Sequence, residues 1–566
     1  MVITVQAEPV RTSAEQSLSL FMASTAIVNR WVHASVTSLH ASLALLLVVG
    51  AILYKIATYD KRRRHLPPNV PAWPIINHTF IQQKDNTPPI LRSWGETYGE
   101  VFRTKAGTTD FIWLNSKEAV KEVFDRRSAI YSSRQPMPMA FQCATGGKRI
   151  TFAPYGKMWR SSRSIFHRVL TQKMAEDYSV IQLYEAKQLS VDLLDNPQDF
   201  YMHNRRYSAS VIMQVTYGWR IPQYCPEIRR IFEVLGRFVQ CRRPGQWLVD
   251  VYPSLAANPI FNYFSSWKQI GTRFHDLDEA IWMDFWQACK EKVDAGIAPH
   301  CFGKILQASY EKLGLTEGQA AWICGGLIEA GSETTSATLN NCICLMLSNP
   351  SAVEKAQEEV DRVVGPDRTP TFKDEADLPY IRGMIKETLR LRPINKFGNN
   401  HYNVEDDWYN GFFIPKNSII VANWWYIHFD QQHYPEPDSF LPERWLDYPY
   451  GAAEAAALAD GTKRDHLSYG GGRRICAGLH VAERSLFINV ARLLWGFNVS
   501  HALDERGKVI PVDFGTTGLR PGSSSVAKPF QCQIKPKSED HAQLLRKAWE
   551  MAQEDGIDFS HIKWAI

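Results

Sequence analysis

Tyr469-Gly470-Gly471-Gly472-Arg473-Arg474-Ile475-Cys476-Ala477-Gly478 is the stretch on which the reading of the whole chain turns. A loop this rich in glycine lets backbone approach a flat ligand closely and offers amide donors along its length. Cys476 stands just before an apolar helical pattern that begins at Leu479, so the positive end of that helix is expected to favour thiolate over thiol. Arg474, two residues earlier, adds positive charge and is placed to clamp a carboxylate. These properties suit a thiolate ligand to iron, with nearby amide hydrogens tempering the charge on sulfur. Taken alone, the same residues also describe a buried thiol beside a tight turn.

Working outward, the run 316–349 is free of proline and stops ahead of Pro350, and Thr316 with Gln319 can form a capping box. It predicts a helix of about 34 residues, roughly 50 Å long, whose all-round apolar character implies burial. Within it lies Ala330-Gly331-Ser332-Glu333-Thr334-Thr335. Its small residues open space, and its hydroxyls compete for backbone carbonyls. A carboxylate at the centre of such a helix is costly unless paired or hydrated, which argues that Glu333 has a task. A plain kink with a solvated Glu333 is the competing account.

Glu387-Thr388-Leu389-Arg390 sets a carboxylate and a guanidinium on one helix face, and Trp159 and Arg163 are spaced i and i+4. Exposed pairs of the first kind contribute only about 0–1 kcal/mol, so alone it carries little weight.

The glycine-rich loop resembles the heme-binding signature of the cytochrome P450 family, F-G-x-G-x-R-x-C-x-G, at Gly470, Gly472, Arg474, Cys476 and Gly478, with Tyr469 in place of Phe. The stretch 330–335 is similar to that family's acid-alcohol motif. Glu387 and Arg390, with Arg444 in Pro442-Glu443-Arg444-Trp445, resemble its E-x-x-R and P-E-R-[FW] elements. The resemblance covers 66–535 and implies a mainly helical fold with a small β region, preceded here by an N-terminal transmembrane helix. It implies heme b held by Cys476 as axial ligand to the iron, with Arg474, Trp159, Arg163 and His401 as cofactor-binding residues. Thr334 would assist dioxygen and Glu333 relay protons, as the catalytic pair. Glu387, Arg390 and Arg444 would be structural.

The implied reaction inserts one oxygen atom from O2 into an apolar organic small molecule, with electrons from NADPH through a separate cytochrome P450 reductase. His466-Leu467-Ser468 and Ala482-Glu483-Arg484-Ser485 look like microsomal oxidases of filamentous fungi, which suggests secondary-metabolite biosynthesis. Lys157, Arg160, Arg168, Arg473 and Arg474 are candidates for the reductase-docking face, and Phe141, Phe152, Leu327 and Phe397 for the substrate pocket. A reductase-independent heme-thiolate isomerase or dehydratase, and a membrane heme-binding protein without turnover, are the other readings. Glu333 and Thr334 count against both. Two departures stand out, Asn400 beside His401 where proline is frequent and Phe429 where arginine is usual.

The composition agrees with this picture. A net charge of +5 from 64 basic and 59 acidic residues is too mild and too mixed for a nucleic-acid partner. Ten cysteines without a regular framework read as reduced thiols, so the bulk of the chain is expected in the cytosol. No Lys, Arg, Asp or Glu falls between Arg30 and Lys55, and 36–54 is apolar enough to span a bilayer. Lys61-Arg62-Arg63-Arg64 then marks the cytoplasmic side, placing residues 1–35 in the lumen of the endoplasmic reticulum. Residues 55–74, basic and then proline-rich, read as a stiff elbow, 75–535 as one catalytic domain, and 536–566 as a polar tail with a terminal helix. Helices are expected at 352–364, 378–391 and 479–495, strands near Val101, Phe111 and Ile419, and a surface insertion at 450–465.

Overall fold

The structure, a computed structural model, describes residues 60–72, 78, 87–558 except 108 and 244, and 562, with isolated positions among the first 50. The chain divides into two units, 1–65 and 66–566. In the first, Lys61–His65 form one 3-10 turn, and Arg62 pairs with Asp60 at 2.9 Å. The span expected at 36–54 lies, apart from 45, 46, 49 and 50, outside the described residues. Among the described residues no helix is long and apolar enough to cross a membrane.

In the second unit the principal helices are α1 (Thr87–Tyr98), α2 (Lys157–Val169), α3 (Ser179–Asp195), α4 (Phe200–Tyr217), α5 (Pro226–Arg242), α6 (Trp267–Asp294), α7 (Glu317–Ser348), α8 (Pro350–Val364), α9 (Pro379–Leu391), α10 (Leu479–Gly496) and α11 (Glu539–Asp555). Helix outweighs strand, as expected. The long central helix α7 opens on the foreseen capping box: the Gln319 amide donates to Thr316 Oγ1 at 3.2 Å, and the Thr316 amide to Gln319 Oε1 at 2.9 Å. Its apolar residues are buried nearly all round, against α4, α6, α9 and α10. The hydroxyls of Ser332, Thr334 and Thr338 bond back to the carbonyls four residues earlier, yet the helix continues unbroken.

A four-stranded sheet runs β1 (Val101–Ala106), β2 (Thr109–Leu114), β6 (Ile419–Ala422), β3 (His401–Tyr402). β1 and β2 form an antiparallel hairpin, β2 and β6 are parallel with Phe111 opposite Ile419, and β3 returns antiparallel with His401 opposite Ile420. The pairs β4 (Asp407–Tyr409) with β5 (Phe412–Ile414) and β7 (Phe497–His501) with β8 (Cys532–Pro536) complete the β structure.

Three expectations are corrected. The proline-rich segment after His65 is not a bare spacer: the Val70 amide donates to the Arg103 carbonyl at 3.0 Å and the Arg103 amide to the Pro68 carbonyl at 2.8 Å, which lays it along β1. Proline lacks an amide but keeps its carbonyl, so it can serve a sheet edge from one side. Residues 450–465 are not a loosely attached insertion: Tyr450, Gly451, Glu454 and Asp460 are exposed as expected, but Ala452, Ala455, Arg464 and Asp465 are buried and Gly461 lies against Lys117 and Lys121. Alanine gives that short helix an apolar face without bulk. The terminal helix α11 is present but is no free tail: Leu545 is fully buried and Trp549 meets Tyr184 of α3 edge-on at 5.0 Å.

Candidate active site

The cysteine loop is shaped by its glycines and by one neighbour. Gly470 and Gly472 have φ of +76° and +59°, the left-handed region that glycine enters freely. A β-carbon on Gly472 would lie 1.9 Å from the Phe124 carbonyl oxygen, so no larger residue fits there. The Gly472 amide donates to the Asp125 carboxylate, and the Cys476 amide to the Tyr469 carbonyl at 2.8 Å. Asp125 and Phe124 belong to a π-helical turn, Lys121–Arg126, which thereby acts as a template for the loop. Tyr469, the departure from the family pattern, leaves its buried hydroxyl without a hydrogen-bond partner.

All ten cysteines are free, and Cys476 is the exposed one. Its surface is accessible although protein surrounds it, and that surrounding bulk pushes the thiol up, against the Gly478 amide and the Arg163 guanidinium, which pull it down. Desolvation thus works against the thiolate that the helix end is expected to favour, while the Gly478 amide and Arg163 work for it.

Arg163 stands beside this sulfur, Arg474 beside Arg163 and Arg134 beside Arg474, and none of the three pairs with a carboxylate among the described residues. Arg163 donates to the Ile475 carbonyl. Arg474 donates to the carbonyls of Ser132 at 2.9 Å and Ala153 at 2.7 Å, with its guanidinium 4.1 Å above the Trp159 ring. Arg474 thus turns inward and leaves the basic surface proposed for it, whereas Lys157, Arg160, Arg168 and Arg473 are exposed. Arg134 is the member the sequence did not reveal. Its guanidinium is buried and donates to the carbonyls of Asn399 at 2.8 Å and Asn400 at 2.7 Å. Burial, then Arg134 and Arg163, weaken the hold of Arg474 on its proton.

His401 joins the same cluster. Its Nδ1 meets the Tyr131 carbonyl at 2.8 Å, so Nδ1 carries the proton, and its ring stacks on Phe124 at 3.8 Å. Burial first, then Arg134 and Arg474, push its pKa well below the ordinary value. His401 is therefore neutral here and would have to gain a second proton to donate to an anion from Nε2.

On α7, Glu333 is half-buried, its side chain 31% exposed and 3.9 Å from Arg520, while Thr334 is exposed with Oγ1 donating to the Ala330 carbonyl at 2.8 Å. The carboxylate that is truly enclosed in this helix is Glu329, one turn earlier and 8% exposed. Arg149 grips it with two bonds of 3.0 and 2.8 Å and reaches Asp278 of α6 at 3.3 Å. Arg237 of α5 completes the cluster on Asp278. The argument from burial cost thus applies to Glu329, which sequence reading passed over. Of the pocket candidates, Phe152 stacks on Phe238 at 5.3 Å, and Leu327 packs in the core around α7. Phe141 lies at the edge of the Phe152 cluster, whereas Phe397 belongs to the sheet core with Trp113.

Glu387 and Arg390 are both 0% exposed, so the surface-pair account fails for them. Arg390 meets Glu387 at 2.7 and 2.9 Å, and Arg444 Nε, Trp445 Nε1 and the Leu441 amide converge on the same carboxylate at 3.1, 2.9 and 3.1 Å. The remaining Arg390 donors go to the carbonyls of His428, Pro437 and Ser439. His428 bonds the Arg390 carbonyl through Nδ1 at 2.9 Å and accepts the Leu467 amide on Nε2 at 2.8 Å, while Ser468 Oγ donates to Leu389 at 2.6 Å. The network therefore ends on the residues that lead into the cysteine loop. Phe429 stacks on Trp425 at 4.9 Å and lies 5.8 Å from the Arg390 guanidinium, filling with a ring the place where arginine is usual.

A mainly helical domain whose accessible cysteine sits in a glycine loop beside an arginine with no carboxylate partner among the described residues has the architecture of a heme-thiolate oxidoreductase. The cytochrome P450 family model matches residues 66–521, and the chain belongs to that family. It is similar to cytochrome P450 monooxygenase verL of Clonostachys rogersoniana, 38% identical over 90% of this chain and 93% of that one. It is also similar to cytochrome P450 monooxygenase pgmC of Aspergillus terreus, 36% identical over 92% and 95%. A zebra fish cytochrome P450 solved with progesterone shares the fold at a TM-score of 0.65 and 22% identity, over 80% of this chain and 99% of that one.

Proposed function

We propose that the protein is a heme-thiolate monooxygenase that oxidises an apolar organic molecule in fungal secondary metabolism. The observation that carries this reading is the chemistry around Cys476: one accessible sulfur beside Arg163, which is followed by Arg474 and Arg134, none of the three with a carboxylate partner among the described residues, an arrangement that fits a planar, iron-bearing ligand with acidic side arms. 

Bound heme would supply the redox-active iron at which one atom of dioxygen is transferred to the substrate while the other leaves as water. Cys476 would bind the iron through its sulfur, and Arg134, Arg163, Arg474 and the Trp159 ring would hold the acidic edge. On the opposite wall Thr334 presents a hydroxyl that can turn from the Ala330 carbonyl toward a reacting oxygen. Glu333, half-buried and near Arg520, is placed to pass protons inward from solvent. Glu387, Arg390 and Arg444 keep the loop in position and take no part in the chemistry.

Electrons would come from NADPH through a separate membrane-bound reductase, for which exposed Lys157, Arg160, Arg168 and Arg473 offer a basic docking face. The apolar run 36–54 and the basic cluster behind it support a single-pass anchor in the endoplasmic reticulum with the catalytic domain in the cytosol.

The test is the carbon monoxide difference spectrum of reduced microsomes carrying wild type and Cys476→Ala, followed by NADPH-dependent product profiling with reductase present. A red-shifted, thiolate-type Soret band that the substitution abolishes, together with oxygenated product, is the expected result. A band without reductase-dependent turnover would favour an isomerase or a binder, and no band in folded, heme-supplied protein would remove Cys476 from its role.

A further inference from the structure

The ring of Phe238 on α5 carries two guanidiniums. Arg149 lies 4.8 Å from its centroid and Arg242, one turn further along the same helix face, lies 5.5 Å from it. Their circumstances differ. Arg149 is neutralised by Glu329 and Asp278, and Arg237 by Asp278. Arg242 has no carboxylate and no hydrogen-bond acceptor among the described residues, although an arginine presents five N–H donors. Arg134, Arg163 and Arg474 also lack carboxylates, but each places donors on backbone carbonyls.

Protein surrounds Arg242, yet part of its surface remains accessible, the same combination found at Cys476. Its side chain is therefore open to a ligand on that part. Through Phe238, Phe152 and Arg149 it is tied to Glu329, one helical turn before Glu333. Arg242 is also near enough to Arg134 for its charge to weaken the hold of Arg134 on its proton. A guanidinium with no protein acceptor among the described residues and part of its surface accessible is ready to take an anion arriving from solution.

We propose that the substrate is an apolar molecule bearing a carboxylate, and that Arg242 receives that carboxylate while the apolar body lies along Phe238 and Phe152 toward Thr334. This rests on the monooxygenase reading and names its substrate class. Arg242 is then a specificity-determining residue, distinct from the residues that hold the cofactor.

The test uses the full-length, heme-loaded protein in microsomes and equilibrium dialysis of three probe pairs: dodecanoate, indole-3-acetate and abietate, each against its methyl ester. Wild type is expected to bind at least one acid roughly tenfold tighter than its ester, as a charge-assisted hydrogen bond implies. Arg242→Gln should abolish that preference, Arg242→Lys should keep part of it, and both should retain heme. No acid preference in wild type, or a preference that survives Arg242→Gln, overturns the proposal. Heme loss in a folded Arg242→Gln variant also overturns it, by reassigning Arg242 to the cofactor. Should Arg242→Gln fail to fold, the wild-type comparison and Arg242→Lys still decide. Absence of the thiolate spectrum in wild type would instead defeat the monooxygenase reading itself.

Discussion

Two walls of the catalytic domain are built on opposite principles. Behind the cysteine loop the Glu387 network is saturated: Glu387 accepts from Arg390, Arg444, Trp445 and Leu441, and the spare donors of Arg390 reach three carbonyls. In the second, on α7 and α5, polar groups are left open. Thr334 is exposed and bonds to its own helix, Glu333 is half-buried, and Arg242 has no acceptor among the described residues. Saturation makes the first wall rigid, because removing any partner strands a buried charge. Openness makes the second cheap to alter and ready for a ligand.

The largest effect that would break this contrast is expected at Glu387. Glu387→Ala leaves Arg390 buried without its carboxylate and should cost about 3–5 kcal/mol. Thermal unfolding of the purified protein, or the yield of folded, heme-loaded protein, would register it, and a loss below about 1 kcal/mol would show that the network is not rigid in the sense argued.

Next comes the Arg149 cluster, which belongs to the second wall but is saturated like the first. Glu329→Gln should destabilise the protein by about 3 kcal/mol, whereas the double change Arg149→Met with Glu329→Leu should be close to neutral, since both charges then leave together. Chemical denaturation of the three variants separates a stranded charge from a lost contact.

A smaller effect has a pH signature. Burial pushes the Glu483 carboxyl on α10 up from its ordinary value to about 7. The folded protein then holds that proton more tightly than the unfolded chain, so stability declines as pH rises from about 4.5 through about 7. Glu483→Gln keeps an acceptor for the Ala452 amide and should flatten this decline, gaining about 1–3 kcal/mol at pH 8. Melting temperatures across that range would check the sign, and a steeper decline in the variant would contradict it.

The smallest stability change is expected at Thr334. Thr334→Ala removes only a bond back to the Ala330 carbonyl and should shift stability by no more than about 0.5 kcal/mol. Product formed per NADPH consumed should nevertheless fall severalfold, with the difference appearing as peroxide. Equal coupling in variant and wild type would take Thr334 out of the reaction.

What the sequence made legible follows the range of the interactions. The helix α7 was readable from end to end because its start is a four-residue capping box and its stop is Asn349 ahead of Pro350, both local signals. The cysteine loop was readable for the same reason, within ten residues. Arg134 was not, because nothing near it in sequence marks it and its contacts, Asn399 and Asn400, lie 265 and 266 positions away. The Arg149 to Glu329 pair spans 180 positions and is equally silent. Sound reasoning about a costly carboxylate consequently settled on Glu333, the neighbour with a family motif, when the enclosed one was Glu329.

The three glycines of the signature at 470, 472 and 478 carry different kinds of information. At 472 the Phe124 carbonyl forbids any side chain, and at 470 the left-handed backbone penalises one. At 478 nothing lies within 4 Å of the position a methyl would take, and φ is −93°. In a saturation library scored for folding alone, 472 would accept glycine only, 470 would tolerate little, and 478 would admit alanine. If the same library scored for heme retention closes at 478 as well, that letter of the signature is written by the ligand rather than by the chain.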